Sequence, residues 1–155
     1  MRILLIGAGG VGNSLAKLLS TRSFYDSVVV ADYDLSRAES VLEWIAVRFP
    51  EARDKFTADR IDASSPAQVA ESAKRHCSTM VMNAVEPSFV ESIFEGARSA
   101  GADYMDMAMS LSKPHTEEPF TKPGVMLGEA QFAQAEAWAD SGRLALVGMG
   151  VEPGI

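Results

Sequence analysis

The stretch Ile3-Leu4-Leu5-Ile6-Gly7-Ala8-Gly9-Gly10-Val11-Gly12, followed by a helical run and then Val28-Val29-Val30-Ala31-Asp32, decides the fold. A short apolar run closes on Gly-x-Gly-x-x-Gly, and an acid ends the next apolar run about 20 residues after the last glycine. This is the strand–turn–helix–strand spacing of a dinucleotide-binding fingerprint. Gly7 permits the tight turn out of the strand, Gly9 lets a pyrophosphate approach the backbone, and Gly12 lets the helix pack closely. The N–H groups of Gly10 and Val11 fall at a helix start, where free donors and the helix dipole favour an anion. Asp32 is placed to accept hydrogen bonds from an adenosine ribose.

The totals agree with an ordinary globular domain. The chain has 155 residues, 47% hydrophobic and 23% charged, which fits one domain with a real core. The net charge is −7 and no run of Lys or Arg stands out. The sequence thus offers no electrostatic footprint for nucleic acid or an anionic membrane. The single cysteine, Cys77, excludes an internal disulfide and suits a reducing cytoplasm. No apolar run approaches the length of a membrane span.

Strand and helix signals then alternate. Val11, Leu15, Leu18 and Leu19 recur at helical spacing and predict the buried face of the first helix. Ala38, Val41, Leu42 and Ile45 do the same for a second, capped by Asp34 or Ser36 and stopped at Pro50. Lys55–Ile61 reads as a less apolar edge strand, and Ser65 with Pro66 opens a third helix. Thr79–Met82 is a fourth strand. A stripe of Phe89, Ile93, Phe94 and Ala97 makes a fourth helix ended by Gly101, and Asp103–Met107 is a fifth strand. Residues Ser110–Gly128 carry three prolines and no clear period, and read either as a functional lid or as a surface insertion. A helix over Glu129–Asp140 and a sixth strand over Leu144–Val147 follow. This rhythm predicts an α/β Rossmann domain: a doubly wound parallel sheet of about six strands in order 3-2-1-4-5-6, with helices on both faces.

Ligands of such sheets bind at the carboxyl ends of the strands. Four turns meet there. Gly7, Gly9, Gly10, Val11 and Gly12 would take the pyrophosphate, and Asp32 with Tyr33 the adenosine ribose. Asp62 and Ala63 would flank adenine, while Asn83, Ala84 and Val85 would lie near the nicotinamide half. Asp62 and Asn83 also have an ordinary use, satisfying turn backbone. A carboxylate at Asp32 favours NAD over NADP, since a 2′-phosphate would be repelled, although Arg37 is within reach of the same turn. No cluster has metal-ligand spacing, and no nucleophile–base arrangement or catalytic residue stands out.

Four features together resemble the N-terminal half of the saccharopine dehydrogenase family. They are Ile6–Gly12, Asn83-Ala84-Val85-Glu86-Pro87, Gly101-Ala102-Asp103-Tyr104-Met105-Asp106, and Gly148-Met149-Gly150-Val151-Glu152-Pro153-Gly154. The resemblance implies an NAD(P)-dependent oxidoreductase of amino-acid or polyamine C–N bonds, as in lysine metabolism, with an amino-acid or amine substrate. It allows for a homodimer. It also implies that residues 1–155 are the cofactor domain and that a substrate domain, absent from this sequence, follows the Gly-x-x-Pro-Gly turn. A non-catalytic alternative, the nucleotide-binding regulatory module of potassium transport, shares the opening turn, the acid and the approximate length.

Overall fold

The computed structural model describes residues 1–150. Of the Gly148–Gly154 ending, Val151, Glu152, Pro153 and Gly154 lie outside the described residues.

Six strands form one sheet: β1 (Arg2–Ile6), β2 (Ser27–Asp32), β3 (Phe56–Arg60), β4 (Met80–Asn83), β5 (Asp103–Asp106) and β6 (Ala145–Leu146). Their order is β3-β2-β1-β4-β5-β6 and every pairing is parallel, as the alternation of strands and helices predicts. The helices are α1 (Gly10–Leu19), α2 (Leu35–Arg48), α3 (Pro66–Arg75), α4 (Val90–Ala100), α5 (Glu129–Phe132) and α6 (Ala135–Asp140).

The strand period sorts the core into two layers. Ile3 and Leu5 of β1, with Val28 and Val30 of β2, face α1 and α2, where Ala16, Leu19, Val41 and Ile45 cover them. Leu4 and Ile6, with Val29 and Val81, face α3, α4 and α6, meeting Val69, Ile93, Phe94 and Trp138. Strands covered on both sides must be apolar throughout, which is why β1 and β2 read as unbroken Ile/Leu/Val runs. Each such side chain contributes about 1.5–3 kcal/mol on burial. α3 and α4 approach closely because Gly96 has no side chain; a Cβ there would come within 2.6 Å of Val69.

The first helix departs from its expected face. Gly12, Ala16 and Leu19 are buried, whereas Val11 and Leu18 are 55% and 52% exposed. The small residues Gly12 and Ala16 let α1 sit close to the sheet, and that contact turns Val11 and Leu18 to the flank while Leu19 stays inside. The helix expected over Glu129–Asp140 is broken into α5 and α6. Phe89 falls outside the fourth-helix stripe, in a 3-10 turn just before α4.

The Ser110–Gly128 segment is a loop closed on itself. Lys113 and Val125 exchange both backbone hydrogen bonds, at 2.9 and 2.8 Å. At its root the Gly128 N–H donates to the Ser110 carbonyl at 2.9 Å, and the Ser110 N–H donates to Gln131 Oε1 at 2.9 Å. His115 is used locally, its Nδ1 accepting from the N–H groups of Glu117 and Glu118. Among the described residues no helix is long and apolar enough to cross a membrane, and no group of His, Cys, Asp or Glu is arranged to hold a metal ion.

Candidate functional site, a nucleotide cavity at the carboxyl edge of the sheet

A cavity of about 1060 Å³ opens at the carboxyl ends of β1 to β4. That is just above the usual range of about 300–1,000 Å³ for ligand and cofactor sites. Its wall includes Gly7, Gly9, Asp32, Tyr33, Asp62, Ala63, Ala84 and Val85 from the residues named by sequence.

The glycine turn has the shape its spacing implies. Gly7 adopts φ +101°, and a Cβ on it would meet Val85 Cγ1 at 2.7 Å and the Ala84 carbonyl at 2.9 Å. A Cβ at Gly12 would come 1.7 Å from the Gly7 carbonyl oxygen, so this contact ties the start of α1 to the end of β1. A Cβ at Gly9 would meet nothing within 4 Å, because Gly9 borders open space in the cavity wall. A cradle that a side chain would fill, beside the free N–H groups of a helix start, fits a pyrophosphate. Gly10 and Val11 are exposed at the top of α1, outside the cavity wall, while Gly12 is buried beneath it.

Asp32 ends β2 and is only 7% exposed. Both of its oxygens are held: Oδ2 accepts the Ala8 N–H at 2.8 Å and Oδ1 the Asp34 N–H at 3.0 Å. Asp34 in turn caps α2 by accepting from Ser36, whose hydrogen bonds hold the Asp34 carboxyl below its ordinary range. The Arg37 guanidinium lies over the Tyr33 ring at 5.2 Å, with its Nε 3.8 Å from Asp34. Asp62 accepts from both the N–H and hydroxyl of Ser64, which lowers its carboxyl and shapes the turn before α3.

Asn83 is buried behind the wall. Its Oδ1 accepts the Val85 N–H at 3.0 Å and its Nδ2 donates to the Tyr104 hydroxyl at 3.1 Å. The side chain is thus spent on the turn and on β5, while Ala84 and Val85 supply the cavity surface. Through Ala84, Val85 and Glu86 the Asn83–Pro87 turn shares its cavity with Asp62 and Ala63. Tyr104 donates to Asp106 Oδ2 at 2.9 Å; burial, with the Asp106 charge adding, pushes its phenol far up and keeps it protonated.

Several wall residues escape a sequence reading, notably Arg60, Gln68 and Phe89. Arg60 donates from Nε to the Tyr33 carbonyl at 3.1 Å. Its signal is positional: it is the last residue of β3, at the same edge as Asp32. The loop over residues 111–127 contributes nothing to the cavity wall.

Fold, glycine turn and strand-end acid define an NAD(P)-binding Rossmann domain. Residues 3–146 match the family model described as the saccharopine dehydrogenase NADP binding domain. The chain belongs to that family, as the four sequence features imply. It is 25% identical over 156 residues to carboxyaminopropylagmatine dehydrogenase of Synechocystis sp., covering 99% of this chain and 35% of that protein. The fold is shared with saccharopine dehydrogenase (L-Glu forming) of Saccharomyces cerevisiae, at TM-score 0.70 and 16% identity, over 99% of this chain and 28% of the yeast one. It is shared also with GenD2 of gentamicin A biosynthesis, solved with NAD, at TM-score 0.64 and 17% identity, over 96% of this chain and 34% of that one. The chain thus spans about a third of the length of these relatives.

Proposed function

We propose that residues 1–155 are the cofactor domain of an oxidoreductase that transfers hydride at amino-acid or polyamine-type C–N bonds, and that they bind NAD in preference to NADP. The observation that carries this is the anchored Asp32 carboxylate beside the open face of Gly9. Gly7, Gly9, Gly10, Val11 and Gly12 form the pyrophosphate turn. Asp32 and Tyr33 meet the adenosine ribose, Asp62 and Ala63 flank adenine, and Ala84 and Val85, supported by Asn83, lead from there towards the nicotinamide half. The dinucleotide supplies the hydride carrier; the chain's residues bind it, orient it and fix the charge around it. Membership of the saccharopine dehydrogenase family favours an enzyme over a regulatory module. The names of the two relatives, a carboxyaminopropylagmatine and a saccharopine dehydrogenase, support an amine or amino-acid substrate.

The test is direct. Titration of the chain with NAD and NADP in one buffer is expected to show binding of both, with NAD the tighter. Because the chain spans 35% of the curated relative, the same preparation is expected to show no amine-dependent NAD reduction. A bound cofactor without an oriented substrate lacks the positioning that makes transfer fast. Absence of nucleotide binding overturns the reading; turnover by residues 1–155 alone overturns the view that the substrate site lies elsewhere.

A further inference from the structure

Beyond the cavity, the carboxyl ends of β4, β5 and β6 are joined by a buried polar network that the cofactor assignment leaves unused. Its centre is Asp106, 1% exposed. Oδ1 accepts the Gly148 N–H at 2.6 Å. Oδ2 accepts the Tyr104 hydroxyl at 2.9 Å and Gln131 Nε2 at 2.6 Å. No cation lies among these partners; three donors carry the cost of burying the charge. A buried carboxylate is not needed for stability, since well-packed apolar groups do as well. A fully satisfied buried network instead specifies one arrangement.

The direction of every hydrogen bond follows from that one charge. An ionised carboxylate only accepts, so the Tyr104 hydroxyl must donate to it. The hydroxyl then accepts from Asn83, which must present Nδ2 to it and turn Oδ1 towards Val85 N–H. Asp106, through Tyr104, therefore holds the Nδ2 end of the Asn83 amide one strand away, while the Val85 N–H holds its Oδ1 end, and the two together fix the Val85 turn. Its other oxygen sets the turn at Gly148. Through Gln131, whose Oε1 accepts the Ser110 N–H, it also fixes the root of the 111–127 loop.

In doubly wound folds one half of the sheet serves each mononucleotide. The adenosine half is β1 to β3, which leaves β4 to β6 beneath the nicotinamide. We infer that Asp106 is a positioning residue for the nicotinamide half of the cofactor. It locks the Asn83–Val85 turn and the Gly148 turn into one floor on which that half rests. This rests on the dinucleotide reading above.

The experiment compares NADH with ADP, which lacks the nicotinamide half. The native chain, Asp106→Asn and Tyr104→Phe are each titrated with both ligands, and their thermal midpoints are recorded. Asp106→Asn turns a donor towards a donor and is expected to weaken NADH about tenfold while ADP changes by no more than about twofold. Tyr104→Phe keeps the ring volume, cuts the link to Asn83, and is expected to shift the NADH-to-ADP ratio the same way by a smaller factor. It carries the test alone should Asp106→Asn not fold. A purely structural role would lower the midpoint or weaken both ligands together; an unchanged ratio in the folded variants overturns the inference and leaves the dinucleotide reading standing. A native chain that binds neither ligand overturns both.

Discussion

The Ala8 N–H donates to Asp32 Oδ2 at 2.8 Å, so the fingerprint turn and the acid that ends β2 are one hydrogen-bonded unit. With Oδ1 held by Asp34, the carboxylate cannot swing away from whatever sits at the ribose. A 2′-phosphate there meets a fixed negative charge. The two arginines nearby have other partners, Arg37 at Asp34 and the Tyr33 ring, and Arg60 at the Tyr33 carbonyl. NAD is expected to bind about tenfold tighter than NADP, the factor given by one like-charge contact of about 1.4 kcal/mol. Asp32→Ala should narrow that gap. Equal or tighter NADP binding by the native chain would show that the arginines decide the site.

Gly9 and Gly12 should separate binding from folding. Gly9 has extended backbone at φ −70° and open space around its missing Cβ. Gly9→Val is therefore expected to fill the pyrophosphate cradle and abolish nucleotide binding with the thermal midpoint nearly unchanged. Gly12→Ala places a methyl against the Gly7 carbonyl and should cost on the order of 1–3 kcal/mol of stability, as overpacking does. Calorimetric melts and titrations of the two variants check both halves. A Gly9→Val protein that still binds NAD would disprove the placement.

Asp59 predicts an acid-dependent loss of stability. Its Oδ2 accepts from Ser72 at 2.6 Å and Arg75 at 2.5 Å and lies 3.1 Å from His76 Nε2, tying β3 to α3. Burial raises the Asp59 carboxyl, but the hydrogen bonds from Ser72 and Arg75 outweigh it and leave it below the ordinary range. A folded pKa below the unfolded one means stability that is present above about pH 4 and is lost as pH falls through the folded value. Asp59→Ala should cost about 1–2 kcal/mol at pH 7, the lower end because Arg75 is half exposed. The gap between native and variant midpoints is expected to close below pH 4, and a constant gap down to pH 2 would count against it.

Gly124 tests the loop. A Cβ there would come 2.0 Å from the Lys113 carbonyl, so Gly124→Ala must open the Lys113–Val125 bridge. Limited proteolysis is expected to cut faster within residues 111–127, where Phe120 is already 98% exposed. The loop adds nothing to the cavity wall, so NAD affinity should stay within about twofold.

The sheet order was legible because β1 and β2 are apolar on both faces and the glycine turn sits between them. The α1 face was not, since a reading by large apolar residues selects Val11 and Leu18 and passes over Gly12 and Ala16, whose smallness brings the helix down. The turn residues at the cavity were legible from strand ends. The Asp106 network was not: the motifs around Asn83, Asp106 and Gly148 stand out singly, but they lie far apart in sequence, nothing in their spacing joins them, and Gln131 belongs to none of them. Arg60 shows the same limit, because only the parallel register brings the end of β3 level with Asp32.

The pairing of β1 also governs how this chain comes into being. Ile3 pairs with Val28 on one edge and with Met80 on the other. The central strand leaves the ribosome before the other five, yet its second edge stays unpaired until β4 has emerged, roughly 4–16 s later at about 5–20 residues per second. During that wait Ile3-Leu4-Leu5-Ile6 is a bare apolar template for foreign strands. Nascent chains stalled before Met80 should recruit chaperones, and those extended past Asn83 should release them.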